Sequence, residues 1–492
     1  MELPPTAEEQ RPSGWIQLAI VWVINTAARG WQVPETQLLT DRQLRSWLRC
    51  HRKAWLDRHG NPNEKIWNPH RALQLADQEL RLQAQMQNPG AIRQMLLQHG
   101  RLLGRPTLLL RRPKASQLGN FSYQPALLQP GRHGTREHRL TLAFWGRLVE
   151  HHQGAAVSHG LLITPQGQQE PVNLGGQISR QLDQALSRVA IDLQQKQAPP
   201  LTQDRKKCTL CCWRRSCNQV AEAAGELSQV SGIGGKRQEL LQQLGIANRA
   251  ALAAIDPNRL MAQLEANGEQ RPELALELIA QARVQEAGQA ERLSQADENG
   301  LPELATAPGV LIYDIESDPD ARDDFLHGFL ILRRGAKPEW PSAANASYRP
   351  LLALQHHGEA RLWLRLQRLF AAYPGWPVLH YGETEAIALS RLAARQGAEA
   401  PLGLIDLHKR VRQHWRLPVD SYGLKAVASW RGFRWSQPTA EGARCVLWWR
   451  QWLARGNRHQ LKRIFQYNRD DCLATWAVAH WLLNSTASGS DN

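Results

Sequence analysis

The chain has 492 residues, 42% of them hydrophobic, and carries 60 Lys and Arg against 45 Asp and Glu, a formal net charge of +15. This length exceeds what one hydrophobic core usually holds, so we expect two or three domains and exclude a wholly disordered chain. The positive charge favours a polyanionic partner, because Lys and Arg contacts to phosphates release counterions. A basic surface that serves only solubility is the alternative.

Residues 1–38 are predicted to be an N-terminal extension or arm. Their apolar run, WIQLAIVWVINTAARG, is too short to span a bilayer and follows acidic residues, so it is typical of neither a membrane helix nor a signal peptide. The seven cysteines are too few and too unevenly placed for a secreted disulfide framework. We therefore expect a cytoplasmic protein without membrane contact.

Three blocks follow in chain order and together predict a multidomain α/β protein. Residues 39–220 mix basic helical patterns with short apolar strands and end in a group of cysteines. Residues 221–305 have helical periodicity, with glycine turns at 232–235 and 245. Residues 306–486 alternate strands and helices, which predicts an α/β domain with a mixed sheet, and residues 487–492 form a polar tail.

The segment CTLCCWRRSC places four cysteines within residues 208–217. Cys208, Cys211 and Cys217 have the C-x2-C-x5-C spacing of metal or cluster ligands, and Cys212 is left over. A tetrahedral site needs a fourth ligand, and Cys50 is the other cysteine of the same block. The spacing alone leaves zinc, an iron–sulfur cluster and packed, unligated cysteines open.

A distant first cysteine followed by C-x2-C-x5-C resembles the iron–sulfur staple of RecB-like nucleases, which pins the two ends of their nuclease domain together. The resemblance implies that Cys50, Cys208, Cys211 and Cys217 hold a 4Fe–4S cluster, with Zn²⁺ as the alternative. It also implies that residues 39–220 form a restriction-endonuclease-like α/β domain of the PD-(D/E)XK type.

The positions that correspond to the catalytic residues of that nuclease domain carry unsuitable side chains. Thr107 stands at the expected acid, and Leu127 and Gln129 stand at the expected acid-x-Lys pair. Thr141 stands where the family often has Gln. None of these side chains binds Mg²⁺ as a carboxylate does. We therefore predict a catalytically degenerate domain that is kept for DNA binding or for architecture.

The helical block contains LSQVSGIGGKRQELLQQLGIANRAALA, which resembles a helix-hairpin-helix motif. In such a motif, backbone N–H groups around Gly232 and Gly234 and the start of the next helix face a phosphate. Lys236 and Arg237 add positive charge at that point. An ordinary glycine turn between packed helices is the alternative.

The last block carries acids at strand and helix positions. LIYDIES places Asp314 and Glu316 two residues apart on a strand, so both carboxylates project from one face. WPVLHYGETEAIAL carries Glu385 where a strand enters a helix, and YNRDDCLATWAVAHWLL places Tyr467 one helical turn before Asp471. Bringing several carboxylates together is costly without cations, which favours a divalent-metal site.

This ordered set resembles the DEDD-type exonucleases, which have an RNase H-like fold. The resemblance implies ligands for Mg²⁺ or Mn²⁺ and a tyrosine that orients the attacking water, namely Asp314, Glu316, Glu385, Asp471 and Tyr467. Glu385 departs from the Asp that is usual at its position, and Glu383 is the alternative there. Asp406 matches an acidic position common in this branch, whereas Asp470 is expected to be a neighbouring surface acid.

Residues 444–469 carry seven Lys or Arg, three Trp and no acid. Such a face can hold a nucleic-acid backbone and stack its bases. The alternative is an amphipathic helix whose tryptophans lie in the core.

The three resemblances occur in this order in RecB-like nucleases that carry an appended RNase H-like exonuclease domain. They imply a metal-dependent nuclease, expected to act as an exonuclease, whose chemistry lies in the C-terminal domain and whose substrate is DNA or RNA, with DNA favoured, in repair or recombination. A non-catalytic nucleic-acid-binding scaffold and an accessory subunit of a helicase–nuclease complex are the alternatives. The sequence has no G-x4-G-K-[ST] loop, so a helicase partner would be another chain.

Overall fold

The computed structural model describes residues 38–485, except 130, 132, 295–299, 319–322, 336–339, 344–345, 355–357 and 402. The predicted arm, apart from residue 38, and the predicted tail lie outside the described residues. The chain divides into two compact units: the first runs to Lys65 and again over Gln74–Thr202, and the second comprises Ile66–Leu73 and the chain from Gln203. Both units combine helices with mixed sheets, which confirms the multidomain α/β class. The domain boundaries predicted from composition stay predictions.

The first unit is built on mixed β structure. Its strands are β1 (Leu39–Thr40), β2 (Ile92–Arg93), β3 (Leu97–His99), β4 (Leu102–Gly104), β5 (Leu108–Arg112), β6 (Ser122–Leu128), β7 (His159–Ile163) and β8 (Gln169–Asn173). The main sheet has the order β2-β5-β6-β7-β8, in which β6 and β7 are parallel and the other neighbours antiparallel. Strands β1, β4 and β3 form a small second sheet.

Five helices accompany these strands: α1 (Asp41–Arg49), α2 (His51–His59), α3 (Pro69–Gln85), α4 (Arg136–Gln153) and α5 (Gln177–Gln194). Helix α3 belongs to the first unit from Gln74 onward, and its first turn belongs to the second unit. Helix α4 connects the parallel strands β6 and β7, because a parallel pair needs a crossover. Its apolar side chains, such as Phe144 and Trp145, are buried in the main core of the unit.

The second unit begins with helices that share a small core. They are α6 (Arg214–Ala223), α7 (Gly235–Gln243), α8 (Arg249–Ala254), α9 (Pro257–Ala266) and α10 (Leu274–Ala287). Leu227, Ile233 and Leu241 pack there against apolar residues of α8, α9 and α10. Asn248 and Asp256 cap α8 and α9 by accepting backbone N–H bonds, which explains where these two helices begin.

A five-stranded mixed sheet follows in the second unit. Its strands are β10 (Gly309–Asp318), β11 (Asp323–Arg333), β12 (Ser347–Leu352), β13 (Val378–His380) and β14 (Leu404–Asp406), and a separate pair joins β9 (Glu291–Arg292) to β15 (Trp415–Arg416). The order is β12-β11-β10-β13-β14; the first three strands are antiparallel, and β10, β13 and β14 are parallel. Strand β10 is therefore central.

The helices around this sheet are α11 (Gly358–Ala372), α12 (Thr384–Arg395), α13 (Leu407–His414), α14 (Leu424–Trp430), α15 (Gly442–Arg455) and α16 (Arg458–Asn484). Leu311 and Tyr313 of β10 pack with α11 and α12, whereas Val310 and Ile312 pack with α16. Because strand side chains alternate, Asp314 and Glu316 share the face that α16 covers. Within the described part of the chain, every helix is too short or too polar to cross a membrane.

Candidate metal centre

Three carboxylates meet where α16 crosses β10. Asp314 and Glu316 lie on β10, and Asp471 lies on α16. One carboxylate oxygen from each residue lies within 4.8 Å of the other two. Two local periodicities produce this arrangement, the alternation of the strand and the helical turn that carries Asp471 toward the sheet.

Burial makes these carboxyls difficult to ionise. The pKa of Asp314 is raised well above its usual range, because burial removes water and because Asp471, Glu316 and Glu385 are negative. Burial and Asp471 likewise raise the pKa of Glu316. Burial raises the pKa of Asp471 to about 6, although a hydrogen bond from Trp435 opposes the shift. A bound cation would place positive charge beside these carboxyl groups and so stabilise their ionised form.

Glu385 lies in the first turn of α12 and is buried. Burial, together with Asp406 and Asp471, raises the pKa of its carboxyl to about 7. Its Oε2 lies 3.9 Å from Nδ1 of His380. Glu383, two residues earlier, has a side chain that is 70% exposed and lies 3.8 Å from the Lys409 ammonium group. Burial therefore favours Glu385 over Glu383, although the acids whose oxygens lie within 4.8 Å of one another are Asp314, Glu316 and Asp471, and Glu385 is not among them.

Three buried carboxylate oxygens have no hydrogen-bond partner among the described residues: Glu316 Oε1, Glu385 Oε2 and Asp406 Oδ2. The other oxygen of Asp406 accepts from the backbone N–H groups of Gly382 and His408, both at 2.9 Å. Buried acceptors without donors are unfavourable, and oxygen ligands are the ones that Mg²⁺ and Mn²⁺ prefer. The residues present therefore fit a divalent cation.

Asn468 is a site residue that the sequence prediction missed. Its amide nitrogen donates to Oδ2 of Asp314 at 2.6 Å, and its amide oxygen accepts from the Tyr348 hydroxyl at 2.8 Å. Gly328 on β11 makes room for it, because a Cβ atom there would lie 1.6 Å from Oδ1 of Asn468. The spacing to Asp471, three residues along one helix face, was the signal that could have found it.

Tyr467 and Trp435 hold Asp471 from two sides. Tyr467 is buried and hydrogen-bonds the Asp471 carboxylate. Burial and the neighbouring carboxylates raise the pKa of Tyr467 well above its usual range, so its hydroxyl stays protonated. The indole nitrogen of Trp435 donates to Oδ1 of Asp471 at 2.6 Å. Trp435 is the second residue that sequence reasoning missed.

The prediction that Asp470 is a surface acid is wrong. Asp470 is buried, and its Oδ2 accepts from the backbone N–H and the hydroxyl of Ser436, at 2.9 and 2.5 Å. The segment that follows α14 covers this part of α16, so two consecutive aspartates are both enclosed. Asp471 turns toward β10, whereas Asp470 holds that segment.

The tryptophans of residues 444–469 belong mainly to the core. Trp448 and Trp449 of α15 are buried, and Trp449 stacks on Phe325 with ring centroids 4.5 Å apart. These two indoles are therefore unavailable for stacking on bases, and the amphipathic-helix alternative holds for them. The neighbouring Arg450 turns back to the sheet and pairs with Asp318 at 2.7 Å.

The predicted helix-hairpin-helix residues form the turn that opens α7. Gly232 has φ +93°, a conformation that favours glycine, and Gly234 is the N-cap of α7. Lys236 is exposed, whereas Arg237 donates to the carbonyl oxygen of Gly232. Their role in binding phosphates stays a prediction.

Two of the four predicted cluster ligands, Cys50 and Cys211, cap helix ends, and the other two lie within helices. Cys50 lies between α1 and α2 in the first unit. In the second unit, Cys208 lies in the 3₁₀ helix Arg205–Leu210, Cys211 follows it, and Cys217 is buried in α6. Their role as ligands of a cluster or of zinc stays a prediction.

The substituted nuclease positions of the first unit surround the main sheet. Thr107 precedes β5, Leu127 is buried on β6, and Gln129 is buried directly after β6. The guanidinium of Arg81 donates to the carbonyl oxygens of Gln129 and Ile163, both at 2.8 Å. Arg81 thus bridges the carboxyl ends of the parallel strands β6 and β7. Thr141 is buried in α4, where its hydroxyl donates to a backbone carbonyl.

Comparison with known families identifies a domain in the C-terminal part of the chain. Residues 311–483 match the family model RNase_H_2 of the RNase H superfamily, a range that includes the three central acids, Glu385 and Tyr467. The chain has no match among curated proteins. With its mixed sheet and its candidate acidic metal site, the region from β10 to α16 is an RNase H-like domain, which suggests metal-dependent nuclease chemistry.

Proposed function

We propose that this protein is an exonuclease that hydrolyses phosphodiester bonds of DNA, or of RNA, with Mg²⁺ or Mn²⁺ in its RNase H-like domain. One observation carries the proposal: Asp314, Glu316 and Asp471 converge within 4.8 Å, in a site with buried carboxylate oxygens that have no described donor. Cations held there would stabilise the negative charge on the attacking and leaving oxygens.

Each protein group has a distinct task in the proposed reaction. Asp314, Glu316, Asp471 and Glu385 hold the cations. Asn468 fixes the Asp314 carboxylate, and Trp435 fixes that of Asp471. The protonated Tyr467 hydroxyl lies beside Asp471, where it orients the attacking water.

The remaining regions are proposed to hold and guide the nucleic acid. Residues 39–220 act as a degenerate RecB-like domain, stapled by a 4Fe–4S cluster on Cys50, Cys208, Cys211 and Cys217. The turn at Gly232 and Gly234, with Lys236 and Arg237, holds the backbone without reading bases. The setting is DNA repair or recombination, with a helicase as a partner chain.

The test is hydrolysis of end-labelled single- and double-stranded DNA and RNA with Mg²⁺ or Mn²⁺. We expect Asp314→Asn to lower the cleavage rate by more than about a hundredfold, beyond the loss that outer-shell partners cause. Glu385→Gln should also impair cleavage, whereas Glu383→Gln, which changes an exposed acid two residues away, should retain the wild-type rate. Equal cleavage by wild type and Asp314→Asn would place the chemistry elsewhere. Binding without cleavage on every substrate would favour the non-catalytic scaffold.

A further inference from the structure

A large aromatic pocket lies beside the C-terminal half of α16. It has a volume of about 1180 Å³, above the roughly 300–1,000 Å³ that is typical of small-molecule sites. Its aromatic and basic lining residues are Trp415, Trp430, Arg431, Trp476, His480 and Trp481. Its size suits a segment of an extended ligand better than one small molecule.

The indoles of the pocket form a fixed cluster. Trp481 is mostly buried, and its ring centroid lies 5.2 Å from that of Trp415 and 5.3 Å from that of Trp430. Trp415 and Trp430 are only partly buried. The buried ring therefore supports two rings that keep accessible surface. Rigid aromatic faces of this kind can stack on any base.

Among its described lining residues, the pocket carries positive charge and no carboxylate. Arg431 is exposed, and its guanidinium lies 5.1 Å from the ring centroid of Trp430 and 5.6 Å from that of Trp481. No Asp or Glu is among the described residues that line the pocket. An exposed guanidinium held over indole rings can accept a phosphate.

The same chain segment connects this pocket to the metal centre. Trp430 and Arg431 begin the sequence WRGFRW, and Trp435 ends it with its hydrogen bond to Asp471. Along α16, Asp471 and His480 are nine residues apart, an axial rise of about 13 Å, and two and a half helical turns put their side chains on opposite faces of the helix. A strand that joins the two sites would therefore pass around α16, a path longer than the roughly four stacked nucleotides that the axial rise alone would take.

We propose that this pocket binds the bases of a single-stranded nucleic acid whose backbone continues to the metal centre. Trp430 and Trp415 stack on bases, and Arg431 holds a phosphate. The course of the strand to the metal centre rests on the proposed nuclease function, whereas the binding of a single strand does not.

The test compares a fluorescein-labelled oligothymidine with an abasic strand of equal length, both without divalent cations, by fluorescence anisotropy. We expect Trp430→Ala to weaken oligothymidine binding roughly tenfold, through lost stacking, and to leave abasic-strand binding unchanged. Arg431→Gln should weaken the binding of both strands, because both carry phosphates. Arg365→Gln removes the same charge from an exposed site on α11, across the sheet from α16, and should have little effect.

Two results would overturn the proposal. One is unchanged oligothymidine affinity in both Trp430→Ala and Arg431→Gln, and the other is an equal loss for the two strands in Trp430→Ala. Thermal unfolding shows whether each variant is folded, and Trp430→Phe, which keeps a ring, should retain most of the affinity. Asp314→Asn separates the two proposals: if neither it nor the wild type cleaves while binding stays pocket-dependent, only the nuclease proposal fails. Cleavage that depends on Asp314, with unchanged binding in the pocket variants, refutes only the pocket.

Discussion

Asn468 connects the two elements that carry the acids. From α16 it donates to Asp314 on β10, and Tyr348 on β12 holds its other end. The Asn468 side chain can lie this close to β11 because Gly328 has no side chain. A single glycine therefore decides whether the carboxylate of Asp314 has a fixed orientation.

We expect Gly328→Ala to disturb the site through Asn468. The added methyl group would lie 1.6 Å from the Asn468 amide oxygen, so one of them must move, at a cost of about 1–3 kcal/mol in the free energy of unfolding. Cleavage should fall by about 10–100-fold as Asp314 loses its donor. Gly335→Ala, at an exposed site where a Cβ atom meets nothing within 4 Å, is the control.

The double variant Gly328→Ala/Asn468→Ala removes both the methyl clash and the amide. Denaturation should show that it is less destabilised than the sum of the single variants. Additive losses would mean that the clash with Asn468 is not the cause.

The raised pKa values predict how stability depends on pH in the absence of metal. Glu385 and Asp471 have pKa values of about 7 and about 6 in the folded protein, above 4.5 and 3.8. The folded state therefore binds these protons more tightly than the unfolded state. The contribution of these two protonated carboxyl groups to the free energy of unfolding is fully present below about pH 4 and is lost as the pH rises to about 7.

Thermal unfolding in EDTA between pH 4 and pH 8 measures this effect. Between pH 4 and pH 8 we expect Glu385→Gln to lose less stability than the wild type, because a glutamine side chain has no proton to release. The control variant Glu383→Gln should show the same pH dependence as the wild type. Stabilisation by added Mn²⁺ should be greater at pH 7.5 than at pH 5.5, because the cation displaces protons. Identical pH dependence of wild type and Glu385→Gln would contradict the burial argument.

At the scale of elements, β10 connects the site to the rest of the domain. Its pairing with β11 is interrupted by an irregularity between Glu316 and Ser317, after which the strand ends at Asp318. Asp318 is buried, and the Arg450 guanidinium on α15 forms two hydrogen bonds with its carboxylate, at 2.7 and 2.8 Å. This pair anchors the end of the strand that carries two of the acids.

We expect Arg450→Ala to lower the free energy of unfolding by about 3 kcal/mol, because it removes a guanidinium that pairs with the buried Asp318 carboxylate. The control is Arg395→Ala. Arg395 also pairs with a carboxylate, that of Glu359, but both side chains are about half exposed, at 44% and 46%. Such exposed pairs contribute about 0–1 kcal/mol. Equal destabilisation of the two variants in chemical denaturation would show that burial of Asp318 is unimportant.

At the scale of the whole molecule, the chain combines two compact units with a net charge of +15. The RNase H-like domain occupies the C-terminal part, and the cysteine-rich segment lies earlier in the same unit. In the first unit, the predicted nuclease positions carry no carboxylate, and the Arg81 guanidinium binds backbone carbonyl oxygens at the ends of β6 and β7. These features favour one catalytic site, in the C-terminal domain.

The iron–sulfur proposal predicts the colour and the metal content of the intact protein. After anaerobic purification we expect a brown protein with stoichiometric iron and sulfide. Cys208→Ala should lose the absorbance of the cluster, whereas Cys212→Ala, which changes a cysteine outside the predicted set, should keep it. A colourless protein with stoichiometric zinc would replace the cluster by the zinc alternative.

The sequence by itself determined the features that depend on local periodicity. Alternation along β10 puts Asp314 and Glu316 on one face, and a helical turn puts Tyr467 beside Asp471, whatever surrounds them. The α/β class follows in the same way from the spacing of apolar residues.

Only the tertiary structure decided which of several similar side chains enter the site. It buries Glu385 and exposes Glu383, encloses Asp470, and brings Trp435 to Asp471. It also brings Asn468 through the space left by Gly328. These outcomes depend on contacts between segments far apart in the chain, and a local pattern does not encode which face of a helix such a segment will cover.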